Sequence, residues 1–371
     1  MALKNLLALI LAFATLGCKE TFYYNSSDYK VDQTDRDVEF SEEEVQAIWA
    51  KLKARIESGE NVDGTVRALI KIARSRLVED NPLQSFKLDD SRRSQLKDKR
   101  DFYLAQTTAA LNAYKFVDGC DGLLFTSLLR SSGYDVDLYQ AQQKGVPGKW
   151  HRNATQDCLQ TGQSESTISR DMLLGLVTAF LHTEDEQGIG DLIAYADENN
   201  DIMGDASSKE EQLSRTLVTP SLKGLFYEIQ YRLTGIDNDL RGYIPDFDKD
   251  LTGFEAHLQG LRILLRGSLY EGLLDEDIEV LQTQLAKNPD NVVFMMTLRA
   301  FTTGDMNEAA DLLLDPTLFP NDRLPSSSDR CEAYIWQRDQ NSSDWQPCAS
   351  EGKTHAGVDL LFAATYILGL F

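Results

Sequence analysis

Charged residues stand at the starts of segments that are otherwise apolar. Asp118 and Asp121 open one, in Asp-Gly-Cys-Asp-Gly-Leu-Leu-Phe, and Ser169-Arg170-Asp171 opens another that runs into Met-Leu-Leu-Gly-Leu-Val-Thr-Ala-Phe-Leu. Thr252-Gly-Phe-Glu255 and His355-Ala-Gly-Val-Asp359 repeat the arrangement. A charge set against an apolar helix has to be paired or hydrogen-bonded. If these starts share one mouth, two of Asp121, Asp171 and Asp359 are placed to flank a glycosidic bond as general acid and base. A lyase would instead use His355 or Tyr334 as base, with Arg170 or Arg338 neutralising a uronate. The plainer reading of the same residues is structural. Asp118 and Ser169 then cap helices, and Arg170 pairs with Asp359 or Asp121.

Two aromatic clusters offer the binding half of such a site. Trp150-His151-Arg152-Asn153 and Tyr334-Ile-Trp336-Gln-Arg338 each set a tryptophan beside an arginine. Ring faces stack on sugars and guanidinium groups bond hydroxyls or carboxylates, so the substrate-binding candidates are Trp150, Arg152, Arg170, Trp336, Arg338 and His355. The alternative is that the tryptophans cover a core edge. Other chemistries lack their templates. The four histidines, His151, His182, His257 and His355, do not have the spacing of metal ligands. Asp197 to Gly204 misplaces the glycine of a calcium loop. Gly188-Ile-Gly190 is too short to cradle a phosphate, no Gly-x-Ser-x-Gly elbow occurs, and no cofactor is indicated.

The elements that must position these residues are helices. Ser41-Glu-Glu-Glu44 is a capping box ahead of Val45, Ile48, Trp49, Leu52 and Ile56. Further helices are expected near 66–77, 92–116, 122–132, 170–181, 190–196, 220–233, 252–269, 275–285, 292–301, 307–314 and 356–371. Pro220 at a first helical position and the box Thr252-Gly-Phe-Glu255 mark two of the starts. Gly133 ends the helix after Asp121, and a connection of about thirty residues follows, far above the usual length and therefore a candidate functional loop. No alternating strand pattern stands out.

The first eighteen residues have a separate logic. Lys4 and the apolar run Leu6 to Phe13 read as an export signal, too short to span a bilayer. The following Thr15-Leu16-Gly17-Cys18 resembles the lipobox of bacterial lipoproteins, with Thr15 where leucine is usual. The resemblance implies lipidation of Cys18 after removal of residues 1–17. Lys19 in the next position is similar to the outer-membrane sorting of enteric lipoproteins. Residues 18–40 read as a flexible tether, spanning roughly 25 Å as a coil, and residues 41–371 as a single helical domain. In an oxidising compartment Cys120, Cys158, Cys331 and Cys348 form disulfides in one of three pairings. The local pairing, Cys120–Cys158 with Cys331–Cys348, is favoured, and it would pin both long loops.

The chain has 371 residues, a formal net charge of −22 and 42% hydrophobic residues. That is enough apolar matter for a core and excludes global disorder. The acidic balance argues against nucleic acid and against electrostatic binding to anionic lipid. Polar-faced helices that alternate irregularly with all-apolar ones make this an all-α chain. Its arrangement resembles an α/α toroid, an outer ring of helices around an inner one, an architecture that hosts many glycosidases and polysaccharide lyases. Fold does not imply function. Three expectations follow: a carbohydrate-active lipoprotein of the outer membrane, a non-catalytic lipoprotein that binds a glycan, peptide or partner, and a structural scaffold. Carboxylates around an open cleft favour the first, and a centre with its charges buried and paired favours the last.

Overall fold

A computed structural model of the chain describes residues 86–159, 165–242, 253–270, 272–325 and 357–370. They contain helices α1 (Asp90–Ala110), α2 (Gly122–Ser131), α3 (Arg170–His182), α4 (Glu186–Glu198), α5 (Pro220–Thr234), α6 (Gly253–Tyr270), α7 (Asp275–Lys287), α8 (Val292–Phe301), α9 (Asn307–Leu314) and α10 (Val358–Ile367). Among the described residues β structure is limited to isolated bridges, so the all-α expectation holds. No described helix is long and apolar enough to cross a membrane. The helices expected near 45–56 and 66–77 lie outside the described residues, as do Cys18, Cys331, Trp336, Arg338, Cys348 and His355.

Local chemistry accounts for the helix ends, including those that differ from expectation. Thr219 accepts from the Leu222 amide and Pro220 follows it, so α5 starts where the sequence places it. The first described helix stops at Ala110 rather than near 116. Asn112 accepts from the amides of Tyr114 and Phe116, and this side-chain turn takes the backbone away from the helix. Residues 186–189, ahead of the helix expected at 190–196, belong to α4, whose cap is Asp185 accepting from Gly188 N. Gly188 is needed there because a Cβ would lie 2.6 Å from the Phe180 ring.

The two most apolar helices sit at the junctions of the packing. α3 buries Met172 through Phe180 without interruption and touches α2, α4, α5 and α6. α10 buries Val358 to Thr365 and touches α1, α2, α8 and α9. A helix that is hydrophobic on every face has to be enclosed this way. Pairwise packing runs α2–α3–α6–α8–α10 and then returns from α10 to α2.

The contacts also give direction. Gly260 lies against Phe294 and Gly267 against Phe301, equal steps along α6 and α8, so these two run parallel. α3 and α6 meet at their starts, through Arg170 with Glu255 and Asp171 with His257. Tyr134, just past α2, reaches Thr365 near the end of α10, with 3.4 Å between the hydroxyls. By contrast α1 runs against α10. Phe86 before α1 stacks on Tyr366 at 5.7 Å, whereas Gly357 at the start of α10 abuts Tyr103 in the second half of α1.

The described residues of the connection between α2 and α3 pack into the core. They contain the 3-10 turn Leu138–Ala141, bridges from Gln142 to Trp150 and from Ser166 to Ala206, and Cys158, which is disulfide-bonded to Cys120 ahead of α2 with Cα atoms 5.6 Å apart.

Candidate functional site

The starts of α2, α3 and α6 hold a cluster of buried polar groups. Ser169 precedes α3 in extended conformation, φ −140° and ψ 164°, the geometry of a capping residue. Its hydroxyl makes no cap, however, and donates instead to Oδ1 of Asp171. Asp171 has no exposed surface. Its Oδ2 lies 3.8 Å from Nε2 of His257, a polar contact rather than a hydrogen bond, and the His257 side chain is also enclosed at 1% exposure. Burial pushes the Asp171 carboxyl up, but His257, the Ser169 hydroxyl and Arg152 together outweigh it and hold the group below the usual carboxylate range.

Arg152 comes from the long connection and ties two of these starts together. Its Nε donates to Ser166 O at 2.6 Å and its Nη2 to Ser166 Oγ at 3.0 Å, while Nη1 reaches Oδ1 of Asp121 at 3.4 Å. Ser166 Oγ in turn donates to Ile168 O. The backbone continues the link, Arg152 N donating to Thr167 O and Leu123 N to Arg152 O, each at 2.8 Å. Arg152 is 5% exposed. Burial lowers its pKa, and the charges of Asp171 and Asp121 work against that lowering. The disulfide at Cys120 fixes the same loop next to Asp121.

These positions decide between the sequence readings residue by residue. Asp121 occupies the cap position of α2 but makes no cap bond, its carboxylate going to Arg152. Arg170 pairs with Glu255 at 2.8 Å, not with the Asp359 or Asp121 expected of it. Trp150, expected to offer an open ring face, is fully buried between Tyr139 and Phe180, with centroid distances of 5.3 and 5.9 Å. It covers the core because the loop around it is packed rather than open. Arg152 likewise faces Ser166 and Asp121 in the interior instead of a surface groove. Asp359 is 3% exposed in the first turn of α10, where it accepts from Leu360 N at 3.2 Å. His257, considered in the sequence only as a metal ligand, and Glu255, grouped with the other charged helix starts but given no partner, are the partners that sequence reasoning missed. Their signal was their place in the first turns of an amphipathic helix.

Chemically the arrangement is an enclosed Asp–His contact buttressed by a buried guanidinium. A general acid or base must come within hydrogen-bond reach of substrate. Among Asp121, Asp171 and Asp359, Asp121 is the most open, at 25%. No cluster of three or more metal-binding side chains exists among the described residues. The chain matches no protein-family model, no curated protein and no solved structure.

Proposed function

We propose that the protein is a non-catalytic envelope lipoprotein, acylated at Cys18 and held at the outer membrane, whose helical body is an α/α-toroid-like barrel that binds a glycan. The observation that carries the non-catalytic reading is the burial of Asp171, locked between Ser169 and His257 with Arg152 behind it. A carboxylate with no exposed surface and a depressed pKa is suited to holding helices together, not to exchanging protons with a sugar. The barrel reading is supported by the packing of α2, α3, α6, α8 and α10 each on the next and of α10 on α2. The shared direction of α6 with α3 and α8 supports it further. In such a barrel the starts of the inner helices form one polar end, and Asp121, Arg170 and Glu255 are its solvent-accessible groups. The anchor rests on the lipobox-like Thr15-Leu16-Gly17-Cys18.

The test is co-sedimentation with insoluble envelope polysaccharide, with the supernatant assayed for reducing ends and unsaturated uronates. The proposal expects the protein in the pellet and no sugar product above the blank. Time-dependent release of product by the purified protein would overturn it in favour of an enzyme.

A further inference from the structure

α6 carries a second polar stripe, away from the residue that faces Asp171. Glu255, Gln259 and Arg262 fall at i, i+4 and i+7 and therefore share one face, with His257 nearly opposite Glu255. Gln259 is 2% exposed, and neither its amide nitrogen nor its amide oxygen has a hydrogen-bond partner. Arg262 is partly buried, its Nε is enclosed without an acceptor, and it enters no ion pair among the described residues. Buried polar groups are nearly always satisfied, so three such atoms on one helix face call for an explanation.

The surroundings state what would satisfy them. Arg170 already holds Glu255 at 2.8 Å, which offsets that carboxylate. Arg262 feels burial first and the neighbouring Arg170 second, with Glu255 opposing both, so its own charge is incompletely offset. Gln259 and Arg262 are three residues apart on α6 and are therefore neighbours on the helix surface. The stripe opens to solvent at Glu255, which is 48% exposed, and closes at Gln259. The unmet needs are an acceptor for Arg262 Nε–H, an acceptor for the Gln259 NH₂ and a donor for the Gln259 carbonyl oxygen. A carboxylate supplies both acceptors, and a hydroxyl beside it supplies the donor.

We infer that Gln259 and Arg262, with Arg170 at the rim, form a subsite for the carboxylate and adjacent hydroxyl of an acidic sugar, a uronate unit of a glycan. This rests on the glycan-binding reading above and names its ligand class.

Calorimetric titration of the full mature chain with sodium glucuronate, glucose and inorganic phosphate tests it. Glucuronate should bind at least tenfold more tightly than glucose or phosphate. Arg262→Met and Gln259→Leu should each weaken glucuronate at least tenfold, with Gln259→Leu melting no lower than the wild type, because leucine leaves no unmet amide. Absent glucuronate binding, binding undiminished in both variants, equal binding of phosphate, or unfolding of both variants would each overturn the subsite. If polysaccharide still pellets the wild type and Arg262→Met equally, the subsite alone falls. If nothing pellets the wild type, the glycan-binding reading falls with it.

Discussion

Two glycines two residues apart should respond to alanine in opposite directions. Gly188 and Gly190 both lie in the first part of α4, and alanine in a helix interior is favoured over glycine by about 1 kcal/mol. At Gly190 nothing lies within 4 Å of a built Cβ, so Gly190→Ala should stabilise by about 0.5–1 kcal/mol. At Gly188 the same methyl would sit 2.6, 2.8 and 2.9 Å from three ring carbons of Phe180. That ring is fully buried and has Trp150 against it at 5.9 Å, so it has little room to swing away. Overpacking of this kind costs about 1–3 kcal/mol. The upper end applies to so short a contact, and after the helix gain the net loss is about 2 kcal/mol. Urea melts of the two variants, with unchanged m values, should therefore differ by about 3 kcal/mol. Equal stabilities would mean that the Phe180–Trp150 packing is loose. The loop that carries Arg152 would then lack the rigid support argued for it.

Other consequences can be checked alongside. Lys99 is 6% exposed and donates to Phe319 O at 2.5 Å; burial, only partly offset by Asp315, lowers its amine from 10.5 to about 8. Between pH 8 and 10.5 the unfolded chain then binds a proton that the native chain has released, so wild-type stability rises with pH relative to Lys99→Met. The change should reach at most about 3 kcal/mol, and a pH-independent difference would contradict it. The Cys120–Cys158 bond closes a loop of 38 residues, and Cys120→Ser/Cys158→Ser should lose about 4 kcal/mol in urea melts; a loss under about 1 would refute the pinned loop. A palmitate analogue should label the wild type in a lipoprotein-processing host and leave Cys18→Ala unlabelled, whereas equal labelling would remove the anchor.

Much of the helical layout was legible in the sequence because short-range chemistry sets it. The bounds of α8 and α9 follow from apolar runs between polar breaks, and α5 from Thr219-Pro220. Errors arose where one side chain or one close contact overrode the local pattern. Asn112 stops α1 early by bonding two amides, and Gly188 looks like a breaker although it is there to admit Phe180. The interior site was legible as a set of residue types but not as a set of pairs. Asp171 and Asp121 stood out as charges at the starts of apolar segments, and Arg152 as the arginine beside Trp150. That Arg170 would take Glu255, and that His257 would face Asp171, depends on how α6 lies against α3, which no local pattern encodes. Trp150 was read from its arginine neighbour, whereas the turn before it folds the ring inward onto Phe180.

If the buried carboxylate of α3 holds the fold and does no chemistry, a urea melt of Asp171→Asn will show it. The substitution keeps the shape and an acceptor for Ser169 but removes the charge facing Arg152 and His257. Removing one partner from a buried ionic group costs about 3–5 kcal/mol, and a loss of that size is the expected result. A catalytic carboxylate contributes little to folding, so a variant within about 1 kcal/mol of the wild type would contradict the account and return Asp171 to the candidates for acid–base chemistry.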